Sequence, residues 1–255
     1  MNITLLANRD LASQFALSQL VEKLADHRLS IFLSEKVGGD RPMPQPIIEL
    51  GQFEKTLLGD GRSTFDQLAA RAGTEIQGFT DLANRVNSPE GIARIGATEP
   101  ELIISLRFGL IIRDQVIAIP RHGVINLHSG LLPAYRGVMA TFRAMLNGDE
   151  NIGSTLHFIQ DSGVDTGDII SRRSIPVAAD RSYLFNVLNL YAGGCQQICQ
   201  AVAALERSGT LDSEPQQGAA AYYSFPTTEE LTAFSALGHR LFDRSDADMG
   251  NTGHN

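Results

Sequence analysis

Short apolar runs, each too brief for a helix, alternate along this chain with stretches that repeat apolar residues at helical spacing. Strand periods interleaved with helix periods in this way point to a sheet covered by helices. Met1 to Ala7 is the first run, and Leu17, Leu20, Val21 and Leu24 follow it on one helix face. Leu29 to Leu33, Glu101 to Phe108, Val124 to His128, Ser154 to Gln160 and Ile169 to Val177 supply further strands. Helices are expected at Ile47 to Leu58, Thr64 to Arg71, after the cap Asn87-Ser88-Pro89-Glu90, and at Val138 to Asn147. Gly38 to Pro46 holds three prolines and reads as a loop. Ser182 to Arg207 carries Leu184, Val187, Leu188, Tyr191, Cys195, Ile198, Val202 and Leu205 as the stripe of a long helix, with Gly193 and Gly194 free to approach the sheet closely. The expected fold class is α/β: a doubly wound, mostly parallel sheet over residues 1–177 with a C-terminal helical and aromatic extension over 178–242. Residues 243–255 contain no Leu, Ile, Val or Phe and are expected to form a disordered tail.

Charge narrows the partners. Among 255 residues, 29 acidic side chains face 21 basic ones for a net charge of -8, the wrong sign for neutralising a phosphate backbone, so no nucleic-acid partner is expected. No apolar stretch approaches the roughly 20 residues of a bilayer span, and the start MNITLLANRD lacks the basic and long apolar parts of a signal peptide. A cytoplasmic protein without a membrane partner is the expectation. Cys195 and Cys199, four apart in a helical pattern, make neither a disulfide framework nor a zinc ligand set, and no metal is expected.

Chemistry concentrates in two segments. Asn126 and His128 stand two apart in an apolar strand, so alternation directs both to one face near its C-terminal end. Ser129 to Gly137 then forms a strand-to-helix loop of the kind that lines the ligand crevice of open parallel sheets. The strand after the next helix runs into Asp161 to Asp168, read as a second loop at a strand's C-terminal edge; if the two strands are neighbours, Asp165 reaches His128. An amide, an imidazole and a carboxylate in one crevice suit acyl transfer to an amine. Asn126 and a protonated His128 donate to the oxyanion, and Asp165 holds the imidazolium. A lone strand histidine is more often a hydrogen-bonded core residue than a catalyst. Here the neighbouring Asn126, the loop and Asp165 tip the balance. His157 is read as packed on its strand, and His27, His122, His239 and His254 as turn, helix-end or tail residues.

The segments NLHSGLLPAYRG (Asn126 to Gly137) and HFIQDSGVDTGDII (His157 to Ile170) closely resemble the catalytic core of the formyltransferases that use 10-formyltetrahydrofolate. The match in order of Asn-x-His, Leu-Leu-Pro, Arg-Gly and Asp-x-Gly covers roughly residues 100 to 177, while the N-terminal hundred is similar only in layout. The resemblance implies a Rossmann-like core, an enzyme of one-carbon transfer, 10-formyltetrahydrofolate as cofactor with tetrahydrofolate as product, and a triad of Asn126, His128 and Asp165. It also implies that Phe108, Gly109, Leu110 and Ile111, with Asp161, Ser162, Gly163 and Val164, border the pterin pocket through backbone groups.

The acceptor is read from departures. Members of the family that act on methionyl-tRNA continue into a further C-terminal domain, for which the stretch after Val177 leaves little room. Members that act on glycinamide ribonucleotide carry a glycine-rich phosphate loop after the first strand, where this chain has Ala7-Asn8-Arg9-Asp10. The expectation is a small-molecule amine acceptor, either a nucleotide-linked amino sugar or a hydroxyornithine-type siderophore precursor, with a homodimer as the assembly to look for. Arg136, Tyr135, Tyr222 and Tyr223 are the candidate acceptor contacts. For Arg136 anchoring its loop to an acid is an equal alternative, and for Tyr222 and Tyr223, with Phe225, closure of the C-terminal segment over the sheet is the plainer role. Arg107 is expected in an internal ion pair, with contact to the folate's glutamate tail as the alternative. Hydrolysis of the formyl donor, or folate binding without chemistry, are the alternative functions.

Overall fold

The computed structural model describes residues 1–35, 42–59, 61–79 and 85–249. Strands β1 (Asn2–Asn8), β2 (Arg28–Ser34), β3 (Ile76–Phe79), β4 (Leu102–Leu106) and β5 (Val124–His128) run parallel in the order β3-β2-β1-β4-β5. The two-residue β6 (Arg136–Gly137) stands apart from them. Strands β7 (Asn151–Ile159) and β8 (Ile169–Pro176) complete a seven-stranded sheet beside β5, each antiparallel to the strand before it in the sheet. β9 (Tyr222–Tyr223) pairs with β6 in a small separate ladder. The helices are α1 (Leu11–Lys23), α2 (Gln45–Leu58), α3 (Phe65–Arg71), α4 (Pro89–Gly96), α5 (Asp114–Ile117), α6 (Ala140–Leu146), α7 (Tyr183–Ser208) and α8 (Thr228–Ala236). The mostly parallel α/β sheet and the long C-terminal helix are as the periodicity predicts.

Period-2 alternation divides the core into two layers. Ile3, Leu5 and Ala7 of β1, Ile31 and Leu33 of β2, Leu102, Ile104 and Leu106 of β4, and Ile125 and Leu127 of β5 pack in the larger layer, which also takes the buried faces of α1, α6 and α7. Leu6, Phe32, Ile103 and Val124 point the other way, against Ile95 of α4 and Val116 of α5. Every member of the predicted α7 stripe is buried. A Cβ on Gly194 would press into the Leu127 side chain, and one on Gly193 into the Arg173 guanidinium, so the glycine pair sets how closely α7 lies on the sheet. Cys195 and Cys199 are free thiols, and burial pushes the Cys195 thiol up to about 12.

Three expectations change. Gln45 and Pro46, assigned to the loop, open α2; a proline in a helix's first turn lacks an N–H that would have had no partner there, so it begins the helix instead of preventing one. Residues 36–41 of that loop lie outside the described residues. Residues 243–249, assigned to the polar tail, are ordered around a 3-10 turn at Arg244–Asp248, while 250–255 lie outside the description. Hydrogen bonds hold the turn, and Ala247 and Met249 pack against the core. Ser182 Oγ donates to the fully buried Asp246 (2.6 Å), and Arg62 Nη2 donates to the carbonyls of Ala247 (2.8 Å) and Met249 (2.7 Å). Ser182 is also the N-cap of α7, accepting from Phe185 N at 2.9 Å. Ser182→Ala is therefore expected to lower stability by about 1 to 2 kcal/mol, read as an earlier midpoint in urea unfolding.

The third change is strand direction. β7 is antiparallel to β5, in the register Val124↔Ile159 and His128↔Thr155, so the loop after β7 leaves the sheet beside the start of β5, at the opposite edge from His128. Burial on both faces reads the same in a parallel or an antiparallel strand, which is why the pattern alone did not reveal this. Between β1 and β4 the connections reverse: the chain winds from β1 out to β2 and β3 and returns on the other side of β1. Crevices beyond the strand ends at such a reversal are where ligands bind in open α/β sheets. Among the described residues no helix is long and apolar enough to cross a membrane.

Candidate active site

Val124, Asn126 and His128 share one face of β5 while Ile125 and Leu127 pack beneath α7. Directly across the ladder from Asn126 is His157 of β7. Asn126 Nδ2 lies 3.1 Å from His157 Nε2 and donates to Asp165 Oδ1 over a longer 3.4 Å. His157 Nδ1 meets the Phe158 carbonyl at 2.8 Å; a carbonyl only accepts, so Nδ1 carries a proton, while Nε2 stands between the Asn126 amide and Asp165 Oδ1.

Asp165 arrives from the opposite edge because its loop folds back over the sheet. Phe158 N donates to Asp168 O (2.9 Å), Asp168 N to Gln160 Oε1 (2.9 Å), and Gln160 Nε2 to Asp168 Oδ2 (3.1 Å). Asp161 Oδ1 accepts from Gly163 N (2.7 Å) and Thr166 Oγ1 (3.2 Å) inside the loop. Gly167 makes the return possible: a Cβ there would overlap the Phe158 carbonyl oxygen. Gly167→Ala is expected to displace the Asp165 loop and cut activity by about 100-fold, with the melting midpoint lowered by only a few degrees; calorimetry beside a rate assay separates the two effects.

The carboxylate of Asp165 is 10% exposed and has a donor on every side. Oδ2 accepts from Gly137 N at 2.8 Å and faces His128 Nδ1 at 3.4 Å, and Oδ1 faces His157 Nε2 at 3.4 Å as well as the Asn126 amide. Burial pushes this carboxyl up, but His128, His157 and the Gly137 N–H outweigh it and bring it down to about 2. On the far side of its ring, His128 Nε2 meets the Tyr135 carbonyl at 2.6 Å. Both ring nitrogens face oxygens that only accept, so the ring carrying a proton on each is the form that satisfies both.

The structure thus brings Asn126, His128 and Asp165 together, and adds His157, whose sequence pattern reads as strand packing. Its alternation fits burial equally well; only the antiparallel register, which sets it opposite Asn126, distinguishes it. Phe108 to Ile111 continue from β4, where Gly109 N donates to Ser34 Oγ (2.9 Å) and the Ile111 carbonyl accepts from Asn87 Nδ2 (2.7 Å). Asp161 to Val164 belong to the loop after β7, so the two segments continue from the strands on either side of β5.

Of the candidate acceptor contacts, Tyr135 Oη donates to Asp149 Oδ2 (2.6 Å) and its ring stacks on Tyr223 at 5.9 Å. Arg136 gives Nε and Nη2 to Gln216 Oε1 (3.1 and 2.7 Å), which fits the anchoring alternative, with an amide in the place of the acid. Tyr222 is 63% exposed. Arg107 makes the expected internal pair, its Nε 2.8 Å from Asp10 Oδ2. Asp10 is also the N-cap of α1, accepting from Ser13 N at 2.8 Å, so a carboxylate of the chain itself already occupies that helix N-terminus. Against this cluster, burial and the Asp10 charge push Glu54 up to about 7, with Arg107 opposing them. Among the described residues no group of three or more His, Cys, Asp or Glu is placed to hold a metal ion.

Residues 60–184 match the formyl transferase family profile, about half of the chain. A methionyl-tRNA formyltransferase of Burkholderia multivorans is 39% identical over 127 residues, covering 50% of this chain and 38% of that protein. One from Syntrophomonas wolfei is 46% identical over 92 residues, covering 36% of this chain and 29% of its own length. The chain therefore spans well under half of these curated relatives. Among solved structures, WlaRD, a sugar 3N-formyl transferase crystallised with dTDP and 5-N-formyl-THF, aligns with a TM-score of 0.59 at 17% identity, over 88% of this chain and 69% of that one. Glycinamide ribonucleotide transformylase 1 of Symbiobacterium toebii aligns with a TM-score of 0.57 at 19% identity, over 83% and 92%. At such identities the structural likeness is one of fold.

Proposed function

We propose that this chain, whose residues 60–184 belong to the formyl transferase family, transfers a formyl group from 10-formyltetrahydrofolate to an amine of a small molecule and releases tetrahydrofolate. The observation that carries this reading is the Asp165 carboxylate set between the Asn126 amide and the His128 imidazole. The formyl donor is consumed in each turnover and supplies the carbonyl carbon that the acceptor nitrogen attacks. The new C–N bond forms, negative charge gathers on the formyl oxygen, the bond to the donor nitrogen breaks, and the proton shed by the acceptor amine ends on the departing nitrogen.

Asn126 and His128 serve the developing oxyanion. The weaker bond from the Asn126 amide, the 3.4 Å one to Asp165, is the one it exchanges most cheaply for a substrate oxygen. His128 Nε2 gives up the Tyr135 carbonyl for the same purpose, while Nδ1 stays facing the Asp165 carboxylate. Asp165 itself remains a carboxylate throughout. In this reading Phe108 to Ile111 and Asp161 to Val164 border the pterin through their backbone groups.

The acceptor we favour is a nucleotide-linked amino sugar, with a hydroxyornithine-type amine second. Asp10 at the α1 N-terminus would repel a phosphate there, which argues against an acceptor read by that group at that point. With Arg136 and the Tyr135 hydroxyl engaged by Gln216 and Asp149, and the Tyr223 ring stacked on Tyr135 and covered by Arg143, the exposed ring of Tyr222 is the surface left for a base or sugar to stack on. A methionyl-tRNA acceptor is the second reading, favoured by the 39% identity to the Burkholderia enzyme. Incubation with formyl donor and, separately, dTDP-amino sugars, N-hydroxyornithine, free amino acids and methionyl-tRNA tests both. Gain of one formyl group by an amino sugar or a hydroxyornithine supports the proposal, and formylation of methionyl-tRNA alone replaces it with the second reading. Formate release that no acceptor accelerates replaces transfer by hydrolysis, and donor binding without turnover leaves only a folate-binding protein.

A further inference from the structure

Asp165 is held by its backbone as well as by its carboxylate. Its φ is +54°, in the left-handed region that side-chain-bearing residues seldom occupy, so the surrounding structure must impose that conformation. One side chain is placed to do so. Gln216 Nε2 donates to the Asp165 carbonyl and to the Gly167 carbonyl, both at 2.8 Å, so a single amide clamps the loop on either side of Thr166. Gln216 Oε1 in turn accepts the two donors of Arg136. Arg136 immediately precedes Gly137, whose N–H donates to Asp165 Oδ2 at 2.8 Å. These contacts close a ring: Arg136 side chain, Gln216 amide, Asp165 main chain, Asp165 carboxylate, Gly137 main chain.

Gln216 lies beyond the matched residues 60–184, in the stretch between α7 and β9, and that stretch is tied down at both ends. Glu214 and Ile169 exchange both backbone hydrogen bonds (2.8 and 2.9 Å), and Arg172 Nη1 meets Glu214 Oε1 at 2.6 Å. On the other side Arg136 N donates to Ala221 O (2.9 Å) and Val138 N to Tyr223 O (3.0 Å), where β6 and β9 pair. The C-terminal stretch therefore touches both loops that carry the site, the one after β5 and the one after β7.

We infer that Gln216 is a positioning residue for the proposed formyl transfer: it fixes the peptide at Asp165 so that the carboxylate stands between His128 and Asn126. The amide is the group this position requires. It must give hydrogens to two carbonyls and accept from a guanidinium; a carboxylate can only accept, an ammonium can only donate, and an aliphatic chain does neither. Misplacing Asp165 by a fraction of an ångström weakens its grip on His128 while its carboxylate makes no contact assigned to either substrate.

The inference rests on the formyl-transfer reading for its rate test, so a second readout is independent of it. Gln216→Met keeps the length and removes every hydrogen bond. We expect kcat to fall about 10- to 100-fold with KM for donor and acceptor within about twofold. In an Asp165→Asn background the same change should cost less than about threefold, because the group being positioned is already gone. Gln216→Glu, which keeps the pairing with Arg136 but loses both donors to the loop, carries the same expectation should the methionine variant not fold; Gln217→Met, at the exposed neighbour, should leave kcat unchanged. In parallel, the imidazole nitrogen resonances of His128, recorded without substrate, should move in Gln216→Met toward their positions in Asp165→Asn. Unchanged kcat and unchanged resonances overturn the inference, as do losses that multiply in the double variant. Wild-type protein that transfers no formyl group at all, while the resonances shift as expected, would sink the proposed reaction and leave the positioning role standing.

Discussion

Asp165→Asn is expected to lower formyl transfer by about 100- to 10,000-fold while donor binding stays within a few-fold of wild type. Asparagine has the shape of the acid, so one amide oxygen can still accept from the Gly137 N–H and the loop keeps its anchor. The charge facing His128 Nδ1 is lost, and an amide NH2 turned toward that nitrogen would favour the neutral ring. The donor's binding surface contains none of these atoms in the proposed reading, so kcat and not KM should carry the loss. The same variant tests the electrostatics of the fold. The Asp165 carboxyl lies below its unfolded value, at about 2 against 3.8, so its ionised form adds stability that is fully present above about pH 4 and disappears as the pH falls toward 2. Wild type should be the more stable protein at neutral pH, and the gap between the two unfolding midpoints should close across that acid window. A gap that is constant from pH 7 to pH 2 would mean that the carboxylate is not held by its neighbours as described.

Asn126→Ala should cost about 100- to 1,000-fold in turnover, the usual loss for one oxyanion donor. The side chain is half-buried and hydrogen-bonds only His157 and Asp165 through Nδ2, so its removal leaves the apolar layers on both sides of β5 intact. It does remove the amide beside His157 Nε2, leaving that nitrogen facing Asp165 Oδ1 alone. Asn126→Asp therefore makes a useful companion: it preserves volume but offers an acceptor and a negative charge in place of a donor, and it should be at least as inactive as the alanine variant. Activity retained within tenfold in Asn126→Ala, with the protein folded by circular dichroism, would remove the amide from the reaction.

The fold was readable where a local pattern has only one solution. Val124 to His128 is a strand in both sequence and structure because a short apolar run ended by a turn has no helical alternative at that length, and the α7 stripe is unmistakable over about six turns. Strand direction was not readable, since β7 is buried on both faces whichever way it runs. That one ambiguity hid both the path by which Asp165 reaches His128 and the place of His157 in the site. The ladder of β6 with β9 has two residues on each side, too few for any period to appear. The turn at Arg244–Asp248 escaped for a related reason: composition measures apolar content, and this segment is fixed by Arg62 and Ser182 through hydrogen bonds from residues far away in the chain. Gln216 left no trace at all, because a glutamine between a proline and another glutamine looks like any solvent-facing loop residue until the fold sets it beneath Asp165.

Asn126, His128 and Asp165 are held to act as one device on one carbonyl, and the sharpest test is a single-turnover comparison of formyl transfer by wild type, Asn126→Ala, Asp165→Asn and the double variant, each with donor and acceptor saturating. If the groups work together, the double variant is no more than several-fold slower than the worse single one, since the first loss already disables the device. Losses that simply multiply would show that the amide and the acid act separately, and would contradict the account.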